Sequence, residues 1–131
     1  MPKKIVLVFP VSRVPSHIPA PIGGRLPFSL LYLARNLEPE YTVEIFDERT
    51  KDFDLSRLLE SANDALCVGI TAFTGYQIHS GLAISRKIKE KNRNVPIVWG
   101  GWHPTLEPVQ TVKDPNIDFA VIGQGEQTFK E

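Results

Sequence analysis

Short, unbroken apolar runs alternate with amphipathic helical segments along this chain, and that alternation leaves few folds open. Ile5-Val6-Leu7-Val8-Phe9 is a continuous apolar run rich in β-branched residues, the pattern of a strand buried on both faces of a parallel sheet. Residues 42–46, 66–71, 96–99 and 117–122 read as four more strands. Between them the spacing turns helical. Leu30, Leu31, Ala34 and Leu37 share one face of a helix that starts at Phe28, and Pro39 blocks its continuation. Asp54 is placed to cap a short helix whose inner face is Leu55, Leu58, Leu59 and Ala62. Residues 76–91 suit a longer helix with Ile78, Leu82 and Ile88 inward. Its charged end, Arg86-Lys87-Ile88-Lys89-Glu90-Lys91, reads as a solvated face whose lysines favour the negative end of the helix dipole. A short helix over residues 106–112 precedes the fifth strand, and a last helix begins near Glu126 and is cut short at Glu131.

Strands alternating with helices imply parallel βαβ units with right-handed crossovers. The predicted fold is therefore α/β: a doubly wound, flavodoxin-like sheet of five parallel strands in the order 2-1-3-4-5, with a truncated last helix. The 131 residues fit one domain. In such sheets ligands bind beyond the carboxyl ends of the strands, near the switch in strand order. That rule selects residues 10–27, 71–76, 100–105 and 123–126. The first of these loops is long and punctuated by Pro15, Pro19, Pro21, Gly23, Gly24 and Pro27. A truncated last helix would leave an apolar stripe uncovered beside strand five, a surface on which two copies could dimerise.

Fifteen basic and fifteen acidic side chains cancel, which argues against a general binder of nucleic acid or of acidic membranes. No apolar run is long enough to span a bilayer, and the run after Lys3-Lys4 stops at Pro10, too short for a signal peptide. A cytoplasmic location is expected. The single cysteine, Cys67, can form neither an internal disulfide nor a thiolate cluster, and in a buried strand it should behave as a small apolar residue. His17, His79 and His103 lack metal-ligand spacing. There is no nucleophile-elbow serine and no phosphate-binding Gly-x-x-x-x-Gly-Lys-Ser/Thr loop. No catalytic residue and no metal ligand is expected in this chain.

The strand-end loops carry the binding candidates. In Gly100-Gly101-Trp102-His103-Pro104-Thr105, paired glycines either let backbone approach a flat ligand or simply make a tight turn. If both glycines serve a ligand, valine at either position should cost binding more than stability. Thr71 and Thr74 offer hydroxyls for a polar cofactor, or else cap the next helix. Gly123-Gln124-Gly125-Glu126-Gln127-Thr128 begins like a dinucleotide fingerprint, but Thr128 replaces the third glycine and the segment follows the last strand.

Taken together, these segments resemble the cobalamin-binding domain found at the amino terminus of many radical S-adenosylmethionine proteins. That family includes corrinoid-dependent methyltransferases and relatives of the anaerobic magnesium-protoporphyrin ester cyclase. The resemblance rests on the loop Pro19-Ala20-Pro21-Ile22-Gly23 and the Leu-rich helix after it, the strand ending in Asp47, and Val68-Gly69-Ile70-Thr71 with Phe73-Thr74. It continues through Gly100-Gly101-Trp102-His103-Pro104-Thr105 and Asp118 to Gly123-Gln124-Gly125-Glu126, where family members often read Gly-Glu-Gly-Glu. It implies cobalamin as the cofactor of this domain. It implies contacts from Pro21 and Gly23, from Thr71, Phe73, Thr74 and Gly75, from Gly100, Gly101, Trp102, His103 and Thr105, and from Gly123, Gly125 and Glu126. It also implies a C-terminal radical S-adenosylmethionine domain, absent here, that holds a 4Fe-4S cluster on a Cys-x-x-x-Cys-x-x-Cys motif and binds S-adenosylmethionine. Residues 1–131 would then be an excised amino-terminal part of a longer enzyme. The first loop lacks the Asp-x-His-x-x-Gly pattern that supplies a lower cobalt ligand in methionine-synthase-type domains, so no protein histidine is expected on cobalt. The competing reading is a degenerate domain that binds no corrinoid and serves as an interaction scaffold.

Overall fold

The computed structural model describes residues 3–11, 28–38, 40–72 and 76–123. In chain order the elements are β1 (Lys3–Phe9), α1 (Phe28–Leu37), β2 (Tyr41–Asp47), α2 (Leu55–Asn63), β3 (Cys67–Thr71), α3 (Tyr76–Lys91), β4 (Ile97–Gly100), α4 (Trp102–Leu106), α5 (Pro108–Val112) and β5 (Phe119–Ala120). The strands form one parallel sheet in the order β2-β1-β3-β4-β5. This is the flavodoxin-like α/β arrangement read from the sequence.

Side chains alternate across the sheet, so the apolar runs feed two cores. Val6, Val8, Val68, Ile70, Ile97 and Trp99 face Leu58 and Ala62 of α2 and Ile84 and Ile88 of α3. Ile5 and Leu7 face Leu30 and Leu37 of α1 on the opposite side. Asp54 caps α2 as expected, its carboxylate accepting from Ser56 N at 2.9 Å. Leu31, assigned to the inner face of α1, is instead exposed, and Leu33 takes its place against the core.

Three features depart from the expected elements. The helix expected over residues 106–112 is two helices, and the first already begins at Trp102. Proline is tolerated in a first helical turn, where backbone N–H groups have no intrahelical acceptor, so Pro104 does not prevent α4. Pro108 then pushes Glu107 out of helical conformation (φ −130°, ψ 61°) and starts α5 at its first position. β5 is confined to Phe119–Ala120, although Asp118 N and Val121 N still donate to Ile97 O and Trp99 O at 2.9 and 2.8 Å. Phe119 and Ile122 are exposed beside it, while the expected last helix lies outside the described residues.

The third departure is Lys89. It was read as part of a solvated charge run, but it is 5% exposed. Its ammonium donates to Val95 O at 2.8 Å, Arg93 O at 3.2 Å and Asp118 Oδ2 at 2.6 Å. The same Asp118 oxygen accepts from Ile97 N at 2.8 Å. One clasp thus ties the end of α3 to the starts of β4 and β5, at the sheet edge opposite the strand-end loops.

Cys67 sits half-buried against the α1-side core, and burial pushes its thiol up to about 11. Only the thiolate is nucleophilic. At neutral pH the folded protein should therefore react slowly with iodoacetamide. The denatured chain should react at the rate of a free thiol. Equal rates measured in the two states by mass spectrometry would contradict this packing.

Candidate functional site

Because all five strands are parallel, their carboxyl ends lie along one edge. Thr71 and Gly100 stand side by side there in the register of β3 and β4. Beyond them the segments that follow β3 and β4 remain bonded: Ala72 N donates to Gly100 O at 2.9 Å and His103 N donates to Ala72 O at 3.0 Å.

The two glycines do different work. Gly101 has φ 100° and ψ −161°, a conformation open in practice to glycine alone. A Cβ on Gly101 would lie 2.9 Å from Thr71 Oγ1 and 3.0 Å from Ala72 O. Gly101 is thus required by the close approach of its own neighbours. Gly100 has no such constraint: a Cβ there would meet nothing within 4 Å. Backbone at the end of β4 is left bare toward open space, as a flat ligand lying on it would need.

Thr105 and Gly123 join the same network. Thr105 Oγ1 donates to Gly101 O at 2.8 Å and accepts from Gly123 N at 2.9 Å, so one hydroxyl couples the β4 and β5 loops. Gly123 has φ 78°. Thr71, Gly100, Gly101, His103, Thr105 and Gly123 are therefore gathered at one edge, and none of them carries a fixed negative charge. Trp102 opens α4. Pro21, Gly23, Phe73, Thr74, Gly75, Gly125 and Glu126 lie outside the described residues.

His103 was expected in a glycine turn. It lies instead in the first turn of α4 and is 8% exposed. Its Nδ1 is the only buried side-chain polar atom without a hydrogen-bond partner among the described residues. Leaving such an atom unsatisfied costs about 1–3 kcal/mol.

On the β1 side, Gln77 Nε2 donates to Pro10 O at 2.8 Å, and Glu48 Oε1 accepts from Val11 N at 2.8 Å. These contacts fix the start of the first loop. Asp47 is occupied by Arg49, whose Nε and Nη2 donate to it at 2.9 and 2.7 Å while the guanidinium lies 4.0 Å from the centre of the Phe9 ring. Burial alone would raise the Asp47 carboxyl, but the hydrogen bonds from Arg49 outweigh it and hold the group below the usual carboxylate range. Gln77 and Glu48 were not found from the sequence. Each is an ordinary polar residue locally, and only the strand order brings it to the first loop.

With this geometry in place, comparison with known proteins identifies the class. The chain belongs to the B12-binding domain family, whose model matches residues 25–131. It is also 35% identical over 133 positions to an uncharacterised methyltransferase of Pyrococcus horikoshii, an alignment covering 98% of this chain. The chain spans 28% of that relative's length. Among the described residues, no helix is long and apolar enough to cross a membrane.

Proposed function

We propose that this chain is the cobalamin-binding module of a longer, cytoplasmic radical S-adenosylmethionine enzyme that performs methyl transfer or a related radical reaction. The family membership supports the cofactor. The relative's name and its greater length support a methyltransferase with further domains. The partner in this reading is a C-terminal domain carrying the 4Fe-4S cluster and S-adenosylmethionine.

The observation that carries the reading is the bare backbone of Gly100 at the carboxyl edge, with open space where its side chain would be. The described residues fit a corrinoid. Gly100 gives a flat body room to lie. Thr71 and His103 stand beside it as polar groups suited to a ligand rich in amides. Gly101, Thr105 and Gly123 hold the β3, β4 and β5 loops in register beneath it. The resemblance adds Pro21, Gly23, Phe73, Thr74, Gly75, Trp102, Gly125 and Glu126 as further contacts. When bound, cobalamin supplies a cobalt centre that accepts and donates a methyl group. The chain's own part is to bind and orient that cofactor and to shield one of its faces from water. No protein histidine serves as the lower cobalt ligand in this proposal.

The test is colour. Protein mixed with hydroxocobalamin and desalted should elute pink-red, with one corrinoid per chain by absorbance. Elution of all the colour in the small-molecule fraction would instead favour the scaffold reading.

A further inference from the structure

We propose that Trp99 is a positioning residue for the Gly100 seat, held by a slot that Gly81 and Ser85 form in α3. This rests on the module reading above and adds to it residues that do not themselves touch the cofactor. Gln77, Gly81, Ser85 and Lys89 recur at intervals of four and are buried along one side of α3. Glycine and serine both weaken a helix interior relative to alanine, so their burial there needs a partner. Gln77 and Lys89 hold main chain, at Pro10 O and Val95 O, each at 2.8 Å. Gly81 and Ser85 hold Trp99 instead. The indole is 1% exposed. Its Nε1 donates to Ser85 Oγ at 3.1 Å, and that hydroxyl donates to Gly81 O at 2.8 Å. A Cβ on Gly81 would lie 3.0 Å from both Cζ2 and Cη2 of the indole. Helix and ring therefore meet without room for one methyl group, and the hydrogen bond fixes the ring within its plane. Ile70 and Ile97 fill the same core with no such slot. What sets Trp99 apart is its place: it is the last side chain of β4 before the bare backbone of Gly100. Trp99 O accepts from Val121 N at 2.8 Å, and Gly100 O accepts from Ala72 N at 2.9 Å. The peptide joining the two residues is thus gripped from both neighbouring strand ends and, through the indole, from α3. A wide ring locked in a helix restrains rotation of β4 about its own axis, and such rotation would tilt the backbone on which the cofactor lies.

The test compares the parent with Ser85→Ala, Gly81→Ala and Val6→Ala by urea unfolding and by absorbance titration with hydroxocobalamin. Val6 is buried in the same core, but on β1, with β3 between it and β4. Its truncation destabilises the fold by leaving a cavity and should leave cobalamin affinity at the parent value. Ser85→Ala and Gly81→Ala should each weaken cobalamin about fivefold, the size of coupling expected between residues in contact. In a Trp99→Phe background, which has no indole N–H, Ser85→Ala should cost no further affinity. Before any cofactor is added, the amide signals of Gly100 and Gly101 should already shift in Ser85→Ala and stay in place in Val6→Ala. Slot variants that bind like the parent would overturn the inference, as would Gly100 and Gly101 signals unmoved by Ser85→Ala. An equal loss of affinity in Val6→Ala would also overturn it, since binding would then follow stability alone. If the parent binds no cobalamin, the module reading itself fails and this inference falls with it. If the parent binds while the slot variants match it, only this inference fails.

Discussion

Gly101→Val should lose about 3–4 kcal/mol of stability in urea, whereas Gly100→Val should unfold close to the parent. The first substitution meets two penalties. A β-branched residue at φ 100° is strained, by about 1–3 kcal/mol. Its Cβ would also sit 2.9 Å from Thr71 Oγ1 and 3.0 Å from Ala72 O, overpacking that adds about 1–3 kcal/mol because backbone cannot move aside cheaply. A domain of this size has about 5–15 kcal/mol in total, so the loss takes a large share of it. At Gly100 the backbone is not in the left-handed region and the new side chain enters open space, at the end of a strand where valine is at home. Its effect should appear in the ligand instead, with cobalamin affinity reduced at least about tenfold because the side chain fills the proposed seat of the corrin. Equal midpoints for the two variants would contradict this division of labour.

Asp118→Ala should cost about 2–3 kcal/mol, because it leaves the Lys89 ammonium buried with only two carbonyl acceptors and removes the acceptor of Ile97 N. Asp118 is itself about a third exposed, which keeps the loss below that of a fully buried pair. Adding Lys89→Met should recover part of the stability, since no unpaired charge then remains inside. The clasp lies at the amino-terminal edge of β4, away from Thr71 and Gly100. Cobalamin affinity of the folded single variant should therefore match the parent. Urea midpoints that do not separate Asp118→Ala from the parent would show that the clasp carries no energetic weight.

The strand order and both cores were legible because the apolar runs of β1 and β3 are buried from both sides, and such runs are hard to mistake. Helix boundaries were less so. Pro104 looked like part of a loop because proline breaks helices in their interiors, yet it is harmless in the first turn of α4. Lys89 shows a second limit: local periodicity reads a charge run as solvated, and only the long-range pairing with Asp118 draws one member inside. At the edge, the glycine pair was visible but its two roles were not. Separating them needs the distance from Gly101 to Ala72, which joins segments about thirty residues apart in sequence. His103 was singled out from its motif, but its buried, unpartnered Nδ1 is a property of packing that no spacing encodes.

The central claim is that cobalamin binds at the carboxyl edge of the sheet. The most direct test is an amide nitrogen–proton spectrum of the protein with and without paramagnetic cob(II)alamin. The signals of Ala72, Gly100, Gly101 and Gly123 should broaden most, while those of Ala65, Val95 and Lys113 should stay sharp. Broadening centred on Ala65 and Val95, or spectra unchanged by the cofactor, would contradict it.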